Sequence, residues 1–231
     1  MLRDSELAQL KDLQLFRDTA DRHFESLLDA ALLQRFPAGV VLIHEGTHAD
    51  FLHVLVDGLV EIFSEQGGSE WGISLLKPVS TFILAAVVVD QTYLNSARTL
   101  SPSRILLIPA TRVRAVFDQD VAFARTVAKE LALAYRGSVK KLKGYMARST
   151  VERLANWILT EARSENGSVV IPFDRGTLAS HIGTSRESLS RSLAFLTEHG
   201  IRVRGREIII DSRPQLEELA RPQQLIDDPS V

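Results

Sequence analysis

The sequence predicts an α+β protein in which a closed or double-sheet β-roll lies between helical segments. Short apolar runs separated by turn residues fill positions 40–109, a helical stripe covers 118–146, and two short helices joined by a glycine lie within 175–200. The length of 231 residues fits one large or two modest domains. The composition, 45% apolar and 24% charged, is that of an ordinary globular protein.

The composition excludes several kinds of chemistry. The chain has no cysteine, which excludes disulfides, thiolate metal sites, cysteine-bound iron–sulfur clusters and thiol nucleophiles. No phosphate-binding loop, His-Glu-x-x-His or Gly-x-Ser-x-Gly motif indicates an enzyme. Positions 1–12 lack the apolar core of a signal peptide, and the longest apolar run, 82–89, is too short to span a bilayer. We therefore expect a soluble, cytoplasmic protein with no membrane partner.

The strand candidates are bounded by turn residues. Leucine and phenylalanine spacing predicts helix over 5–33, and the strands follow at 40–43, 51–56, 59–63, 72–76 and 105–108. Asp57-Gly58 between two apolar runs predicts a hairpin with a type I′ turn, which needs a positive φ at both residues. Periodicity leaves 82–89 open between a short helix and a buried strand.

A long amphipathic helix is predicted over 118–146. Residues spaced by three or four positions form its stripe: Val127, Leu131, Ala134, Ser138, Leu142 and Tyr145. Such a stripe needs a partner surface, either the chain's own β-domain or the same helix of a second copy. We predict the second arrangement, a homodimer, followed by another amphipathic helix over 149–163.

Positions 175–200 have the pattern of a helix-turn-helix. The first short helix ends at Gly183, where a positive φ is needed, and Thr184 or Ser185 caps the second helix. The inward side of the second helix carries three leucines, Leu189, Leu193 and Leu196. This arrangement is typical of DNA-binding motifs whose second helix enters the major groove.

The outward side of the second helix carries side chains that can reach base edges: Ser185, Arg186, Glu187, Ser190 and Arg191. Arginine can donate two hydrogen bonds to guanine, glutamate can accept from cytosine, and serine can bond either way. Thr184-x-x-Glu187 also fits a capping box, which leaves Glu187 with two roles, the cap or the base. We expect Thr184, Ser185 and Arg186 to contact phosphate, and Glu187, Ser190 and Arg191 to carry specificity.

The residue pattern over 201–210 predicts a hairpin that turns at Gly205 and completes a winged helix. Its arginines, Arg204 and Arg206 among them, are expected to contact phosphates, which position a protein on DNA without specifying a sequence. Five arginines lie between positions 186 and 206, a local basic patch in a chain whose net charge is −2. The segment from Arg221 onwards is acidic and predicts a frayed tail.

The sequence resembles the Crp/Fnr superfamily of bacterial transcription factors over nearly its whole length. The resemblance rests on segments 36–46 (FPAGVVLIHEG), 51–63 (FLHVLVDGLVEIF) and 178–191 (LASHIGTSRESLSR). It implies an N-terminal cyclic-nucleotide-binding-like β-roll (a double-stranded β-helix), a long dimerisation helix and a C-terminal winged helix-turn-helix. It also implies duplex DNA, a second copy of the chain and RNA polymerase as partners. The predicted boundaries are 1–117, 118–146, 147–220 and, for the tail, 221–231.

The second helix is similar to that of the Fnr-like branch. Glu187, Ser190 and Arg191 fit its Glu-x-x-Ser-Arg pattern. In that branch these positions read a TTGA-type half-site, and a dimer reads an inverted repeat resembling TTGAT-N4-ATCAA. We carry those roles over to these three residues alone.

The sensor half departs from the family members that bind cyclic nucleotides. Their phosphate cassette has a Gly-Glu pair for the ribose and an Arg-Ser pair for the cyclic phosphate. Here positions 79–90 contain no glycine and no carboxylate before Asp90, positions 93–96 read Tyr-Leu-Asn-Ser, and Arg98 lies too far along to substitute. A phosphate in an apolar cavity without its arginine is costly, so we expect no cyclic-nucleotide binding.

Segments 78–86 and 93–100 resemble NnrR-type regulators of denitrification. The resemblance implies activation of nitrite and nitric oxide reductase genes in response to nitric oxide, with haem as the cofactor. The candidate haem ligands are three histidines of the predicted β-roll, His44, His48 and His53. Alternation along the strands does not choose among them. The alternatives are a regulator gated by another small ligand or by none, and a ligand-binding signalling module that does not regulate transcription.

Overall fold

The computed structural model describes residues 4–162 and 168–228. The chain divides into two compact units, 1–135 and 136–231. Each unit has its own arrangement of helices and strands and is described separately below.

Some sequence predictions fall beyond the described part of the chain. These are positions 1–3 of the sensor domain, position 163 of the helix predicted over 149–163, and positions 229–231 of the tail. Among the described helices, none is long and apolar enough to cross a membrane.

The first unit begins with three short helices, α1 (Asp4–Asp12), α2 (Gln14–Arg17) and α3 (Asp21–Asp29). The strands that follow are β1 (Leu32–Phe36), β2 (Val41–Ile43), β3 (Phe51–Asp57), β4 (Val60–Gln66), β5 (Ser69–Leu76), β6 (Ser80–Phe82), β7 (Ser96–Thr99) and β8 (Ser103–Pro109). Helix α4 (Leu84–Val89) separates β6 from β7. Two helices follow β8, α5 (Ala110–Gln119) and α6 (Val121–Ala147).

Two antiparallel four-stranded sheets form the predicted β-roll, in the orders β1-β8-β3-β6 and β2-β7-β4-β5. Strand β3 lies inside the first sheet, and α4 and α5 pack against it. Its residues Leu52, Val54 and Leu55 are therefore all fully buried, on both faces of the strand. The predicted α+β architecture is confirmed.

The helix predicted over 5–33 ends earlier than the periodicity indicated. Leu32 and Leu33 belong to β1 and pair with Leu107 and Leu106 of β8. Pairing at the edge of β8 satisfies their backbone groups as well as a helix would. The helical prediction for these two residues is wrong because a strand partner so distant in sequence leaves no mark on local spacing.

Asp57-Gly58 marks a chain reversal, but the predicted hairpin is wrong. Strands β3 and β4 belong to different sheets, so the chain crosses from one sheet to the other here. Gly58 has φ +104°, whereas Asp57 does not have a positive φ. A Cβ at Gly58 would lie 2.7 Å from the Pro102 carbonyl oxygen, so the close approach of the chain at this corner requires glycine.

The ambiguous segment 82–89 is mostly helical. Phe82 ends β6, and α4 begins two residues later. The residues on either side of α4, Ile83 and Asp90, are left-handed with φ +58° and +54°. A β-branched residue in this region is strained, and the surrounding structure must hold it there. The short strands β6 and β7 have mixed polarity and gave no periodic signal.

The helix predicted over 118–146 is interrupted. Asp118 lies in α5, and the long helix begins only at Val121. Asp120 between them is extended, and its Oδ1 accepts hydrogen bonds from the backbone N–H groups of Ala122 and Phe123 at 2.9 and 3.0 Å. This is a side-chain cap on the first turn of α6.

The other oxygen of Asp120 is bonded to the N-terminal helices. Oδ2 accepts from the backbone N–H of Ala20 at 3.0 Å and lies 2.9 Å from Nδ1 of His23. Burial alone would raise the pKa of Asp120, but the bond with His23 and the backbone bonds lower it to about 2. Asp120 therefore joins α3 to the start of α6 as a carboxylate.

The second unit contains the C-terminal part of α6 and α7 (Thr150–Glu161), β9 (Ser168–Val170), α8 (Arg175–Ile182), α9 (Arg186–Thr197), β10 (Ile201–Arg204), β11 (Glu207–Ile210), α10 (Arg213–Ala220) and α11 (Gln224–Asp227). A capping box of Ser149 and Glu152 starts α7, in agreement with the predicted helix. The strands form one antiparallel sheet in the order β10-β11-β9.

The predicted frayed tail is wrong for its described residues. Asp227 in α11 accepts a hydrogen bond from Arg148 Nη1 at 2.8 Å, and only 7% and 13% of the Arg148 and Asp227 side chains are exposed. Lys140 Nζ donates to the carbonyl oxygen of Asp228 at 2.7 Å. The acidic sequence suggested a solvated end because Arg148 lies far away along the chain.

Replacing Asp120 with alanine is expected to lower the free energy of unfolding at pH 7 by about 2 kcal/mol. The change removes the cap of α6 and leaves the half-buried His23 without the Asp120 carboxylate. Because the folded pKa lies below the ordinary value of 3.8, the contribution is complete above about pH 4 and is lost as the pH falls towards 2. Urea unfolding of both proteins across this range measures it.

Asp118→Ala is the matched control, because Asp118 is an exposed carboxylate two residues away. It should unfold like the unmodified chain at every pH. An Asp120→Ala protein as stable as the Asp118→Ala protein at pH 7 would show that the carboxylate does not hold this junction.

Candidate DNA-reading surface and sensor cavity

Helices α8 and α9 form the predicted helix-turn-helix. Gly183 between them has φ +73°, as the sequence predicted, and its N–H bonds back to the end of α8. Asp174 caps the start of α8 by accepting from the backbone N–H groups of Gly176 and Thr177. The inward leucines of α9 are buried as predicted: Leu189, Leu193 and Leu196.

Ser185 is the N-cap of α9. Its hydroxyl accepts from the backbone N–H of Ser188 at 3.2 Å, so the capping position is one residue later than the box Thr184-x-x-Glu187 requires. The predicted capping box is therefore not formed. Hydrogen bonds to its own amide and to the Ser185 hydroxyl lower the pKa of Glu187, which is exposed and ionised.

Glu187, Ser190 and Arg191 lie on one exposed face of α9. Their spacing of three and four residues places them on adjacent turns of the helix. Arg191 Nη2 donates to the Ser188 hydroxyl at 2.9 Å, which orients the guanidinium along the same face. The structure thus brings together the three residues that the sequence proposed for specificity.

Arg186 is the first residue of α9, and Thr184 lies two residues before it. The guanidinium of Arg186 lies over Gly176 of α8, so close that a Cβ on that glycine would fall 2.2 Å from Nη2. The backbone N–H of Thr184 donates to the Ala179 carbonyl oxygen at 2.9 Å. Arg186 is exposed and Thr184 half-buried, positions that fit contacts with the DNA backbone beside α9.

The wing is formed as predicted. Strands β10 and β11 pair from Ile201 and Ile210 to Arg204 and Glu207, and the chain turns at Gly205 with φ +61°. Arg204 and Arg206 are exposed at the tip of this hairpin. Arg202 is bonded instead to the carboxylate of Asp211, with its Nε donating at 3.1 Å.

One arginine that the sequence gave no reason to single out supports the turn of the helix-turn-helix. Arg153 of α7 donates from Nε to the Ile182 carbonyl oxygen at 2.9 Å and from Nη2 to that of Gly183 at 3.1 Å. Its guanidinium lies 5.6 Å from the ring centre of Tyr145, whose hydroxyl donates to the His181 carbonyl oxygen. Tyr145 in the last turn of α6 and Arg153 in α7 thus hold the segment just before α9.

The predicted dimer stripe divides into three groups. Val127 is fully buried and Leu131 packs against the same core, that of the first unit, so Val127 cannot form a dimer interface and that prediction is wrong. Ala134, Ser138 and Leu142 are exposed. The ring of Tyr145 lies against the guanidinium of Arg153. The alternative of packing on the chain's own β-domain therefore applies to the first part of the helix only.

A cavity of about 530 Å³ lies in the first unit, a size typical of small-molecule sites. It is lined by the segment that departs from the cyclic-nucleotide cassette and by β4 and β5. Its large apolar residues are Ile62, Leu76, Phe82, Ile83, Val89 and Leu94, and its polar ones are Thr81, Gln91, Thr92 and Asn95. None of the described residues that line it is ionisable.

The three candidate histidines do not line this cavity. His44 and His48 are exposed, and His48 faces the carboxylates of Asp50 and Asp90. His53 is buried, with Nδ1 3.1 Å from the Phe51 carbonyl oxygen, and burial lowers its pKa to about 4. Its ring contacts Phe82, a cavity residue, at 5.1 Å between ring centres. The residues that line the cavity therefore offer no axial ligand to a haem iron, and they do not fit that group.

Arg98 is bound within the second sheet and does not replace the missing phosphate ligand. Its Nε donates to the buried carboxylate of Glu61 at 2.8 Å, and its Nη1 lies 2.7 Å from Glu70. The guanidinium also lies over the Phe63 ring, 4.4 Å from its centre. Both carboxylates would have to be displaced before Arg98 could meet a phosphate.

Two parts of the chain match known protein families. Residues 33–120 match the cyclic nucleotide-binding domain, and residues 152–219 match the Crp-like helix-turn-helix domain. Together the matches span more than half of the chain. The chain belongs to the Crp/Fnr family.

Relatives agree with this assignment. The chain is 23% identical over 199 residues to the cAMP-activated global transcriptional regulator CRP of Pasteurella multocida, which covers 82% of this chain and 95% of that protein. Two solved structures, each 19% identical, share the fold. A crp/fnr-family regulator from Eubacterium rectale has a TM-score of 0.75 over 90% of this chain and 98% of that one. FixK2 from Bradyrhizobium japonicum has a TM-score of 0.74 over 84% and 98%.

A Crp/Fnr-family protein is a DNA-binding transcription regulator and not an enzyme. The exposed face of α9 is therefore the candidate surface for reading bases, and the cavity of the β-roll is the candidate ligand site. The response to nitric oxide and the haem ligand stay predictions.

Proposed function

We propose that this regulator acts as a homodimer on a TTGA-type inverted repeat. The observation that carries the proposal is the face of α9 on which Glu187, Ser190 and Arg191 are exposed together. An arginine can bond bidentately to guanine O6 and N7, and a carboxylate can accept from the cytosine paired with it. Arg191 and Glu187 are one turn apart, a spacing that suits neighbouring base pairs of a half-site.

The phosphate contacts come from the flanks of this face. Arg186 and Thr184 precede it, and Arg204 and Arg206 lie on the wing. These positions fix the depth and register of α9, since phosphate contacts position a protein and base contacts specify the sequence. Arg202, paired with Asp211, is assigned no DNA contact.

The dimer is proposed from the exposed part of α6. Two copies related by a two-fold axis would pair Ala134, Ser138 and Leu142 with the same residues of the partner. A two-fold axis also matches an inverted repeat, in which two half-sites lie about one helical turn apart.

The physiological role is proposed from the resemblance of segments 78–86 and 93–100 to NnrR-type regulators. It is the activation of denitrification and nitrogen-oxide genes in response to nitric oxide, through contact with RNA polymerase. The signal would enter at the β-roll. An effector changes DNA binding only if it binds the competent dimer more tightly than the incompetent one.

Replacing Arg191 with alanine is expected to remove discrimination at the guanine of TTGA. The expected loss is on the order of 1–3 kcal/mol, because a bidentate contact to guanine disappears. The measurement is fluorescence anisotropy at low salt with two duplexes, one carrying TTGAT-N4-ATCAA and one with the guanine pair replaced in both half-sites.

Arg206→Ala is the matched control, an exposed arginine on the wing. It should weaken binding to both duplexes alike and reduce the slope of log affinity against log salt by about one. Unchanged discrimination in the Arg191→Ala protein would remove Arg191 from the residues that read the site. If the unmodified protein showed no preference for the repeat, the proposed function itself would be wrong.

Replacing Leu142 with aspartate is expected to convert the dimer to a monomer. The leucine side chain is 57% exposed in a single chain, and the two-fold axis would bring two carboxylates together in a desolvated interface. Sedimentation equilibrium reports the mass, and Leu225→Asp, at a leucine that is 63% exposed in α11, is the control. A Leu142→Asp protein that sediments like the control would exclude this face of α6.

Haem is tested by absorption spectroscopy of haem-supplied protein with and without nitric oxide. Since no histidine lines the cavity, we expect no Soret band to persist after gel filtration. A retained Soret band that shifts with nitric oxide and disappears in the His53→Ala protein would contradict this expectation. It would assign His53 as the axial ligand that the resemblance implies.

A further inference from the structure

We propose that the cavity of the first unit binds an uncharged, mainly apolar small molecule, and that this molecule is the effector. The inference rests on that part of the proposed function in which a ligand of the β-roll gates DNA binding, and it assigns such a molecule, in place of nitric oxide, as that ligand. The ligand of this cavity would be uncharged, whereas a cyclic nucleotide carries a negative charge.

Charge complementarity is the first argument. The described residues that line the cavity are aliphatic, aromatic, amide or hydroxyl residues, with no ionisable side chain among them. Transferring an anion such as a phosphate from water into such surroundings without a cation is strongly unfavourable. An uncharged ligand avoids that cost and gains from burial of its apolar surface.

The neighbouring arginines are committed elsewhere. Arg98 is held by Glu61 and Glu70. Arg114 of α5 lies 2.9 Å from an oxygen of Asp90, and the same nitrogen donates to the Val87 carbonyl oxygen at 3.1 Å. Either guanidinium could turn towards a bound anion only by breaking its present contacts with a carboxylate, so the surroundings do not readily supply the charge that the lining lacks.

The distribution of polar groups narrows the class of ligand. Gln91, Thr92 and Asn95 lie on the segment after α4, whereas Ile62, Leu76 and Phe82 come from the strands. An uncharged molecule with one hydrogen-bonding end and an apolar body fits this division. The amides can both donate and accept, so a carbonyl or a hydroxyl on the ligand would serve equally well.

Helix α4, which forms one wall of the cavity, is constrained at its ends. Left-handed residues flank it, and Arg114 ties its C-terminal end to α5 through both Val87 and Asp90.

Two large apolar side chains at the cavity, Val89 and Leu94, are 60% and 77% exposed. A ligand seated against them would bury apolar surface that is otherwise in contact with water.

The test uses two fluorescent probes with the same aromatic rings. N-phenyl-1-naphthylamine is uncharged, and 8-anilino-1-naphthalenesulfonate carries a sulfonate. Each is titrated into the full chain at pH 7 without DNA. We expect the uncharged probe to bind about ten-fold more tightly, because the sulfonate has no cation to meet. Cyclic AMP should displace neither probe.

Two substitutions to tryptophan locate the site. Ala85 is an exposed residue of the cavity wall, and Ala85→Trp should weaken binding of the uncharged probe about ten-fold by filling the cavity. Ala38→Trp, at an exposed turn outside the cavity, should bind it like the unmodified chain. If Ala85→Trp does not fold, Val89→Asp replaces it, since that side chain is mostly exposed.

A third substitution tests the charge argument directly. Leu94→Arg places a guanidinium at the cavity and should raise affinity for the sulfonate probe while lowering affinity for the uncharged one. Tighter sulfonate binding by the unmodified chain, displacement by cyclic AMP, or equal probe binding by the two tryptophan variants would each overturn the proposal. Because no step uses DNA, these results do not depend on whether α9 reads a TTGA repeat.

Discussion

The candidate DNA-reading surface depends on the guanidinium of Arg153. The last carbonyl groups of a helix have no hydrogen-bond partner within that helix. At the end of α8 these include the carbonyl groups of Ile182 and Gly183. Arg153 donates to both of them. Gly183 then takes the left-handed conformation that sets the direction of α9, so the position of Glu187, Ser190 and Arg191 follows from how this short turn is held.

Tyr145 links the same turn to the long helix. Its ring lies under Arg153 and its hydroxyl bonds to the His181 carbonyl oxygen, although it belongs to the last turn of α6. A change in the last turn of α6 would therefore act directly on the turn that orients the recognition helix. Within the second unit, contacts of this kind are the physical means by which a helix can transmit a signal.

The sequence was sufficient for most of the DNA-binding unit, because the signals there are local. Gly183, the leucines of α9 and the hairpin at Gly205 each follow from residues a few positions apart. The sequence left the cap of α9 open between Thr184 and Ser185, since both fit the pattern and only backbone geometry distinguishes them. Arg153 could not be found, because an arginine on a helix looks the same whether it faces water or a carbonyl group.

The first unit was harder to predict because its determinants are distant in sequence. The break of the long helix at Asp120 depends on Ala20 and His23, and the strand at Leu32 depends on β8. The burial of Val127 likewise comes from packing that periodicity does not reveal. The absence of the phosphate-binding arginine, in contrast, was visible from the sequence, since it rests on which residue types are missing from the cassette segment 79–96.

The bond between Arg148 and Asp227 also bears on how the gene should be handled in the laboratory. A chain cut after α10, where the sequence suggests that the folded part ends, would lose Asp227 and leave a buried arginine without its carboxylate. Expression vectors for this regulator should therefore retain α11.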